Sequence, residues 1–148
     1  MECEQIVQIL ESKISLFKHL GLHLVSIDGC KAHFRADLSQ NLNHKNNAFG
    51  GSIYAVAVMT AYSLVLAALK KHDFTTEDIV IAKADIRYLR PIASDFDAIC
   101  EFQTQYDLEE FIENLREQKK VKQEFTVRVL VGEDLCAELI GLFVVKSL

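Results

Sequence analysis

Hydrophobic residues near the N-terminus recur at the spacing of an α-helix. Between Glu2 and Phe17 they are separated by short polar stretches, and Gly21 follows them. This pattern predicts an amphipathic helix within residues 1–20, whose apolar positions are Ile6, Ile9, Leu10, Ile14 and Phe17.

The next segment has the character of β-strands. Apolar residues are frequent in Leu22–Ile27 and in Lys31–Leu38, and the two runs flank Asp28-Gly29, a dipeptide that favours a tight turn. These features predict a β-hairpin. The polar, asparagine-rich stretch Ser39–Asn47 that follows is typical of a loop.

A long uncharged segment extends from Asn46 to Leu69 and predicts either a buried helix or a membrane span. Its most apolar part, Ile53–Leu69, is about 25 Å long as a helix, which is short for a bilayer. Polar side chains also interrupt this part, at Tyr54, Thr60, Tyr62 and Ser63. We therefore expect a helix at the centre of a domain, where a sheet covers most of its surface.

The second half of the chain begins with a clear alternation of period two. Within Ile79–Leu89 one set of alternate positions is apolar and the other is charged, and Pro91 ends the run. The pattern predicts a strand with one buried and one exposed face. The apolar face comprises Val80, Ala82, Ala84, Ile86 and Tyr88, and the charged face comprises Lys83, Asp85 and Arg87.

Further strands and one helix complete the predicted fold. Alternation predicts a strand over Phe96–Phe102, and acids followed by lysines predict a helix over Asp107–Lys120. Two last strands are expected over Val121–Val131 and Leu135–Lys146. We predict an α+β fold in which a curved antiparallel sheet of about six strands wraps around the long helix, leaving an edge or face for a second subunit.

Composition limits the classes of function. The chain has 148 residues, half of them hydrophobic, and a formal net charge of −5, which predicts one domain over residues 1–148 and argues against a nucleic-acid partner. The acidic start Met1-Glu2-Cys3-Glu4 is unlike a secretory signal, so we expect a cytoplasmic protein. Neither a metal centre nor a disulfide is predicted, because the cysteines are scattered singly, at Cys3, Cys30, Cys100 and Cys136.

The start of the long helix carries the most specific candidate chemistry. Gly50 and Gly51 stand where backbone N–H groups lack helical acceptors and where the positive end of the helix dipole lies. Such a pair can bind an oxyanion or a carbonyl oxygen. It can equally let the loop pass close to a neighbouring strand, and the pair alone does not decide between these roles.

Two longer motifs resemble those of hotdog-fold acyl-CoA thioesterases. They are Asn47-Ala48-Phe49-Gly50-Gly51-Ser52-Ile53-Tyr54-Ala55 and Ala84-Asp85-Ile86-Arg87-Tyr88-Leu89-Arg90-Pro91, and they are most similar to the thioesterase domain at the C-terminus of YiiD-type proteins. The resemblance covers residues 22–148, the predicted core. It implies a hotdog subunit within a homodimer or a homotetramer, with active sites at the subunit interface.

The resemblance also assigns roles to residues. The N–H groups of Gly50 and Gly51 would polarise the thioester carbonyl, where one lost donor costs about 3–4 kcal/mol, and Asn43 would orient the water or the thioester. No cofactor is implied beyond coenzyme A as part of the substrate. The substrate contacts implied are Asn47 and Phe49, the acyl-pocket residues Tyr54, Val58 and Tyr62, and, for the phosphates of coenzyme A, Arg87 and Arg90, although these arginines could equally form salt bridges.

Two departures from the family pattern leave the catalytic base open. Phe49 replaces the histidine that often precedes the glycines, and Val58 replaces the catalytic Asp of the phenylacetyl-CoA type. Asp85 and His44 are the candidate replacements. Asp85 could equally belong to an ion-pair network with its charged neighbours, and a loop histidine such as His44 is commonly only solvated.

Taken together, these features predict a thioesterase that hydrolyses an acyl-CoA or acyl-carrier-protein thioester. A noncatalytic module that binds acyl thioesters remains an alternative, because Val58 supplies neither an acid nor a base. A dehydratase on the same fold is a third alternative. It requires a histidine and carboxylate pair that the chain does not offer in either motif.

Overall fold

An antiparallel sheet of six strands and one long helix dominate the computed structural model, which describes residues 3–147. The predicted helix start at Glu2 and the domain ends Met1 and Leu148 lie outside the described residues. The elements are α1 (Cys3–Lys13), β1 (Leu22–Ile27), β2 (Lys31–Ala36), α2 (Gly50–Lys71), β3 (Asp78–Tyr88), β4 (Phe96–Glu101), α3 (Gln105–Gln118), β5 (Lys120–Val131) and β6 (Asp134–Lys146).

The predicted α+β architecture and its order of elements are confirmed, with small differences at the element ends. The first helix ends at Lys13, and Phe17 lies instead in a separate 3-10 turn, Phe17–His19. The third helix begins earlier than predicted because the Thr104 side chain caps it, accepting a hydrogen bond from the backbone N–H of Asp107 at 3.1 Å.

The predicted hairpin forms between β1 and β2. The side chain of Asp28 accepts hydrogen bonds from the backbone N–H groups of Cys30 and Lys31, at 2.7 and 2.9 Å, which closes the turn. In β1 the pairing shifts at Val25, which forms a bulge and is exposed.

The strands are ordered β1-β2-β4-β5-β6-β3, so β1 and β3 are the two edges of the sheet. Helix α2 contacts all six strands, which places it against one face of the sheet. Within residues 3–147, α2 is the one helix long and apolar enough to cross a bilayer, but 72% of its most apolar window is buried inside the domain. Its apolar surface therefore forms the core, as the sequence predicted.

Two hydroxyl groups buried in α2 are satisfied within the helix. Thr60 Oγ1 donates to the carbonyl of Val56 at 2.8 Å, and Ser63 Oγ donates to the carbonyl of Met59 at 2.7 Å. Because each hydroxyl has a partner, neither residue adds an unpaired polar group to the core.

A bulge in β3 corrects the predicted alternation. Ile81 pairs with Phe143 and Lys83 pairs with Leu142, so Ala82 is an extra residue on the β3 side. One extra residue inverts the faces of a strand. Val80 and Ala82, predicted on the buried face, are therefore exposed, whereas Ala84 and Ile86 are half-buried against the core. Tyr88, also predicted on the buried face, is 52% exposed at the end of the strand.

A cluster of aromatic rings packs in the part of the core beneath α3. Phe125 lies at the centre of this cluster, with ring centroids 5.2 Å from Phe102, 5.8 Å from Phe143 and 6.4 Å from Phe111. Edge-to-face contacts such as these add to the free energy gained by burial.

Replacing Phe125 with alanine is expected to lower the free energy of unfolding by about 3–5 kcal/mol, because the cavity removes contacts with three rings. Urea denaturation followed by circular dichroism measures the change. The matched control is Tyr106→Ala, at a side chain that is 68% exposed, with an expected change within about 0.5 kcal/mol. Equal losses in the two variants would contradict this description of the core.

Candidate active site

The loop before α2 is held by the side chain of Asn43. Its Oδ1 accepts hydrogen bonds from the backbone N–H groups of Lys45 and Asn47, at 2.8 and 3.0 Å, and its own N–H donates to the carbonyl of Asn47 at 2.7 Å. Asn46 adopts a left-handed conformation with φ of 63°, which asparagine tolerates. Of the hydrogen bonds within residues 3–147, none uses Asn43 Nδ2, so this group is available to a ligand.

Backbone hydrogen bonds fix the chain on both sides of the helix start. The N–H of Ala48 donates to the carbonyl of Ile92 at 2.8 Å, and the N–H of Phe49 donates to the carbonyl of Asn41 at 2.7 Å. Asn41 is itself buried, and its Nδ2 donates to two further backbone carbonyls, both at 2.8 Å. The start of α2 is thus anchored to the neighbouring segments before any ligand arrives.

The first turn of α2 presents free donors. Helix α2 begins at Gly50, with Phe49 as an N-cap residue whose side chain makes no capping bond, and Ile53 is the first residue that donates back, to the carbonyl of Phe49. Within the described residues the N–H groups of Gly50, Gly51 and Ser52 therefore have no acceptor. With the helix dipole behind them, these donors suit an oxygen that carries negative charge.

Each glycine of the pair lies against an aromatic ring. A Cβ atom added to Gly51 would stand 2.7 Å from the Phe49 ring, and one added to Gly50 would stand 3.5 Å from the Tyr88 ring. The Tyr88 hydroxyl also donates to the carbonyl of Gly50 at 2.8 Å. Burial, and next the neighbouring Tyr54, raise the pKa of Tyr88, so its hydroxyl is protonated at neutral pH.

Beyond the first turn, one side of α2 remains half-buried. This stripe comprises Tyr54, Val58 and Tyr62, which are spaced four residues apart and lie on the same side of the helix, as the helical spacing predicted. Burial, and next Glu77, raise the pKa of Tyr62, which therefore presents a neutral phenol. The stripe offers an apolar surface with hydroxyl groups and no carboxylate.

Asp85 lies on the other side of the sheet from α2. After the bulge, Ile86 pairs with the buried Leu139 on the inner face, and Asp85 pairs with Ile140 on the outer face, where both are exposed. Successive residues of a strand point to opposite faces. Within one subunit the Asp85 carboxylate therefore faces away from the glycine pair.

The two predicted positive groups lie near carboxylates. Arg87 lies on the outer face opposite Glu138, and Arg90 forms an ion pair with Asp134, with Nη1 3.2 Å from Oδ1. His44 is exposed in the loop that Asn43 closes. The structure thus brings the glycines, Asn43 and His44 into one segment and does not bring Asp85 there.

The structure offers neither a metal-binding cluster within the described residues nor a reactive thiol at Cys100. Within residues 3–147 no group of three or more His, Cys, Asp or Glu side chains could hold a metal ion. Burial, with a smaller contribution from Glu101, raises the pKa of the Cys100 thiol to about 12, so Cys100 is not a thiolate nucleophile at neutral pH.

Comparison with known proteins places these features in a family. A family model described as "Putative thioesterase (yiiD_Cterm)" matches residues 3–147. A Shewanella oneidensis protein described as a "putative thioesterase" shares 26% identity, with a TM-score of 0.85 over 97% of this chain and 96% of that chain.

Two less similar structures share the fold. A Chlorobaculum tepidum protein of unknown function has 21% identity and a TM-score of 0.89 over 98% of this chain and 94% of that chain. A Pseudomonas aeruginosa protein described as a probable thioesterase has 17% identity and a TM-score of 0.85 over 100% of this chain and 97% of that chain. The predicted hotdog fold is confirmed by these matches.

Sequence reasoning missed two residues that shape the helix start. The sequence places Tyr88 on an apolar strand face and in the second motif without indicating a role for its hydroxyl, and it places Asn41 in a polar loop. Tyr88 stands in the same motif as Arg87 and Arg90, and its position at the end of a strand preceding Pro91 was the available signal. The sequence holds no comparable signal for Asn41, because its partners are backbone atoms, whose positions residue types do not reveal, and one of them, at Leu20, is 21 residues away.

Proposed function

Since the chain belongs to the yiiD C-terminal-type thioesterase family, we propose that it hydrolyses an acyl thioester of coenzyme A or of an acyl carrier protein. Water adds to the thioester carbonyl, the carbon–sulfur bond breaks, and a carboxylic acid and a thiol leave. The observation that carries the proposal is the set of unpaired N–H groups at Gly50 and Gly51, at the positive end of α2. A carbonyl oxygen that becomes negative during attack is stabilised most by donors already held in place.

Asn43 supplies a third polar group. Because its Oδ1 already closes the loop, its free Nδ2 is the atom that orients the thioester or the attacking water. Asn47 and Phe49 belong to the same segment and complete the contacts around the thioester. Tyr54, Val58 and Tyr62 take the acyl group along the half-buried side of α2.

Proton abstraction from the water is assigned to His44. Of the two bases that the sequence suggested, His44 lies next to Asn43 in the loop, whereas Asp85 lies on the outer face of the sheet. Imidazole is suited to this role because a neutral ring has one nitrogen that can accept a proton while the other donates a hydrogen bond. Arg87 and Arg90 remain proposed contacts for the phosphates of coenzyme A, at the periphery of the site.

We further propose that the protein acts as a homodimer in the cytoplasm, in which β3 of one subunit pairs with β3 of its partner. The edge strand β3 has an unpaired side, and the exposed apolar side chains at its two ends include Val80, Tyr88 and Leu89. A second subunit would cover these groups and the exposed ring of Phe49. The four cysteines outside disulfides fit a reducing compartment.

A second candidate function is a noncatalytic module that binds acyl thioesters. The specific observations in its favour are that Val58, on the half-buried side of α2, is neither an acid nor a base, and that Asp85 lies on the outer face of the sheet. Such a module would use the same donors and the same apolar stripe.

Assaying the purified protein against acyl-CoAs of graded chain length, aryl-CoAs and one acyl carrier protein distinguishes the two functions. We expect release of free thiol from at least one thioester well above the rate without protein. Calorimetric binding of an acyl-CoA without turnover of any substrate would instead identify the binding module.

Substitutions at Asn43 separate its two roles. Asn43→Asp keeps the oxygen that closes the loop and removes the Nδ2 donor, so kcat is expected to fall about 10²-fold, as for a lost oxyanion donor, with little change in melting temperature. Asn43→Ala removes both groups and is expected to lower activity and melting temperature together. Full activity of Asn43→Asp would exclude Nδ2 from the reaction.

The two candidate bases can be compared in matched neutral variants. His44→Gln is expected to lower kcat by about 10²-fold or more, because the water loses its base, whereas Asp85→Asn is expected to change kcat by less than about twofold. Steady-state kinetics of both variants on the preferred substrate measure this. The reverse ranking would show that Asp85 reaches the thioester in the assembled protein.

Sedimentation velocity tests the assembly. A subunit of 16.7 kDa is expected to sediment as a species of twice that mass at micromolar concentration. A species of four subunits would mean that dimers pair further, as the family resemblance also implies. A monomer over the whole concentration range would contradict the proposed dimer.

A further inference from the structure

The hydroxyl of Tyr88 is bonded to a peptide group at the candidate site. It donates to the carbonyl of Gly50 at 2.8 Å, and its ring lies within contact distance of Gly50. The carbonyl of Gly50 and the N–H of Gly51 belong to one planar peptide unit. Tyr88 therefore holds one end of the unit whose other end is an unpaired donor of the first turn.

We propose that Tyr88 is a positioning residue that strengthens and orients the Gly51 N–H group through this shared peptide unit. A donor bonded to a carbonyl draws electron density toward the oxygen, and the N–H at the far end becomes a better donor. In condensed phases each added bond strengthens the next by about 10–30%. The catalytic consequence rests on the proposed function, whereas the effect on the peptide unit does not.

The position of Tyr88 also restrains the helix start. Gly50 and Gly51 lack side chains that would limit their backbone conformations. Tyr88 is the last residue of β3, and it pairs with the buried Ala137 of β6, so its hydroxyl connects the glycines to a fixed part of the sheet. Donors restrained in this way need no rearrangement when an oxyanion forms.

Tyr88→Phe tests the proposal because it removes the hydroxyl and keeps the ring. In NMR spectra of the isotopically labelled 148-residue chain, we expect the resonances of the Gly50 carbonyl carbon and the Gly51 amide proton to shift upfield. In kinetics, we expect kcat to fall about three- to tenfold with KM nearly unchanged, less than the 10²–10³-fold cost of a lost oxyanion donor. The matched control is Tyr106→Phe on α3, which is expected to leave both resonances and both kinetic constants unchanged.

A series of tyrosine analogues at position 88 separates the hydrogen-bond strength of the hydroxyl from the packing of the ring. Fluorinated tyrosines at position 88 keep the shape of the ring and have a more acidic hydroxyl, so at a pH where the phenol stays protonated they donate more strongly. We expect the Gly51 amide proton to move downfield and kcat to rise in step with fluorination. A purely structural role of Tyr88 would change the melting temperature without this correlation.

Failure of this inference about Tyr88 can be distinguished from failure of the proposed thioester hydrolysis. Unchanged Gly50 and Gly51 resonances in Tyr88→Phe would overturn the inference, as would shifted resonances with unchanged kcat in an active enzyme. If the wild-type protein hydrolyses no thioester, the proposed hydrolysis fails. The NMR comparison would then decide alone whether Tyr88 polarises the Gly51 donor.

Discussion

The structure depends on the burial of one helix by one sheet. Helix α2 is apolar on nearly all sides and contacts every strand, so most of its length is inaccessible to a substrate. Only the first turn and one half-buried side remain available. The polar groups of the helix that a substrate can reach therefore include the unpaired N–H groups at one end, at Gly50 and Gly51. Burial of the rest of the helix supplies the free energy that holds this end in place.

Much of the fold follows from the sequence because its periodicities are strong and local. Neighbouring residues alone predict three features: the charge-free run that forms α2, the Asp28-Gly29 turn and the alternation in β3. The bulge at Ala82 could not be predicted, because no residue type marks it and it arises from pairing with β6, a strand distant in the chain. That single residue explains why Val80 faces solvent.

The site was less predictable than the fold. The glycine pair is visible in the sequence, since only a few structural roles require two glycines at the start of a helix. The use of Asn43 Oδ1 inside the loop, and the bond from Tyr88 to Gly50, depend on where separate elements meet in space. Reasoning from residue types assigned Asp85 a catalytic role because a carboxylate was needed. The register of β3 instead directs Asp85 outward.

The two edges of the sheet differ, and this difference determines how copies of the chain can associate. Pairing of β3 with β3 joins identical surfaces, so such an assembly closes after two subunits. Pairing of β1 with β3 would leave a free edge at each end and could continue indefinitely. The bulge at Val25, the short length of β1 and the contact of α1 with this strand all obstruct that second mode. The geometry of β1 thus disfavours the open-ended pairing of strand edges from which fibres grow.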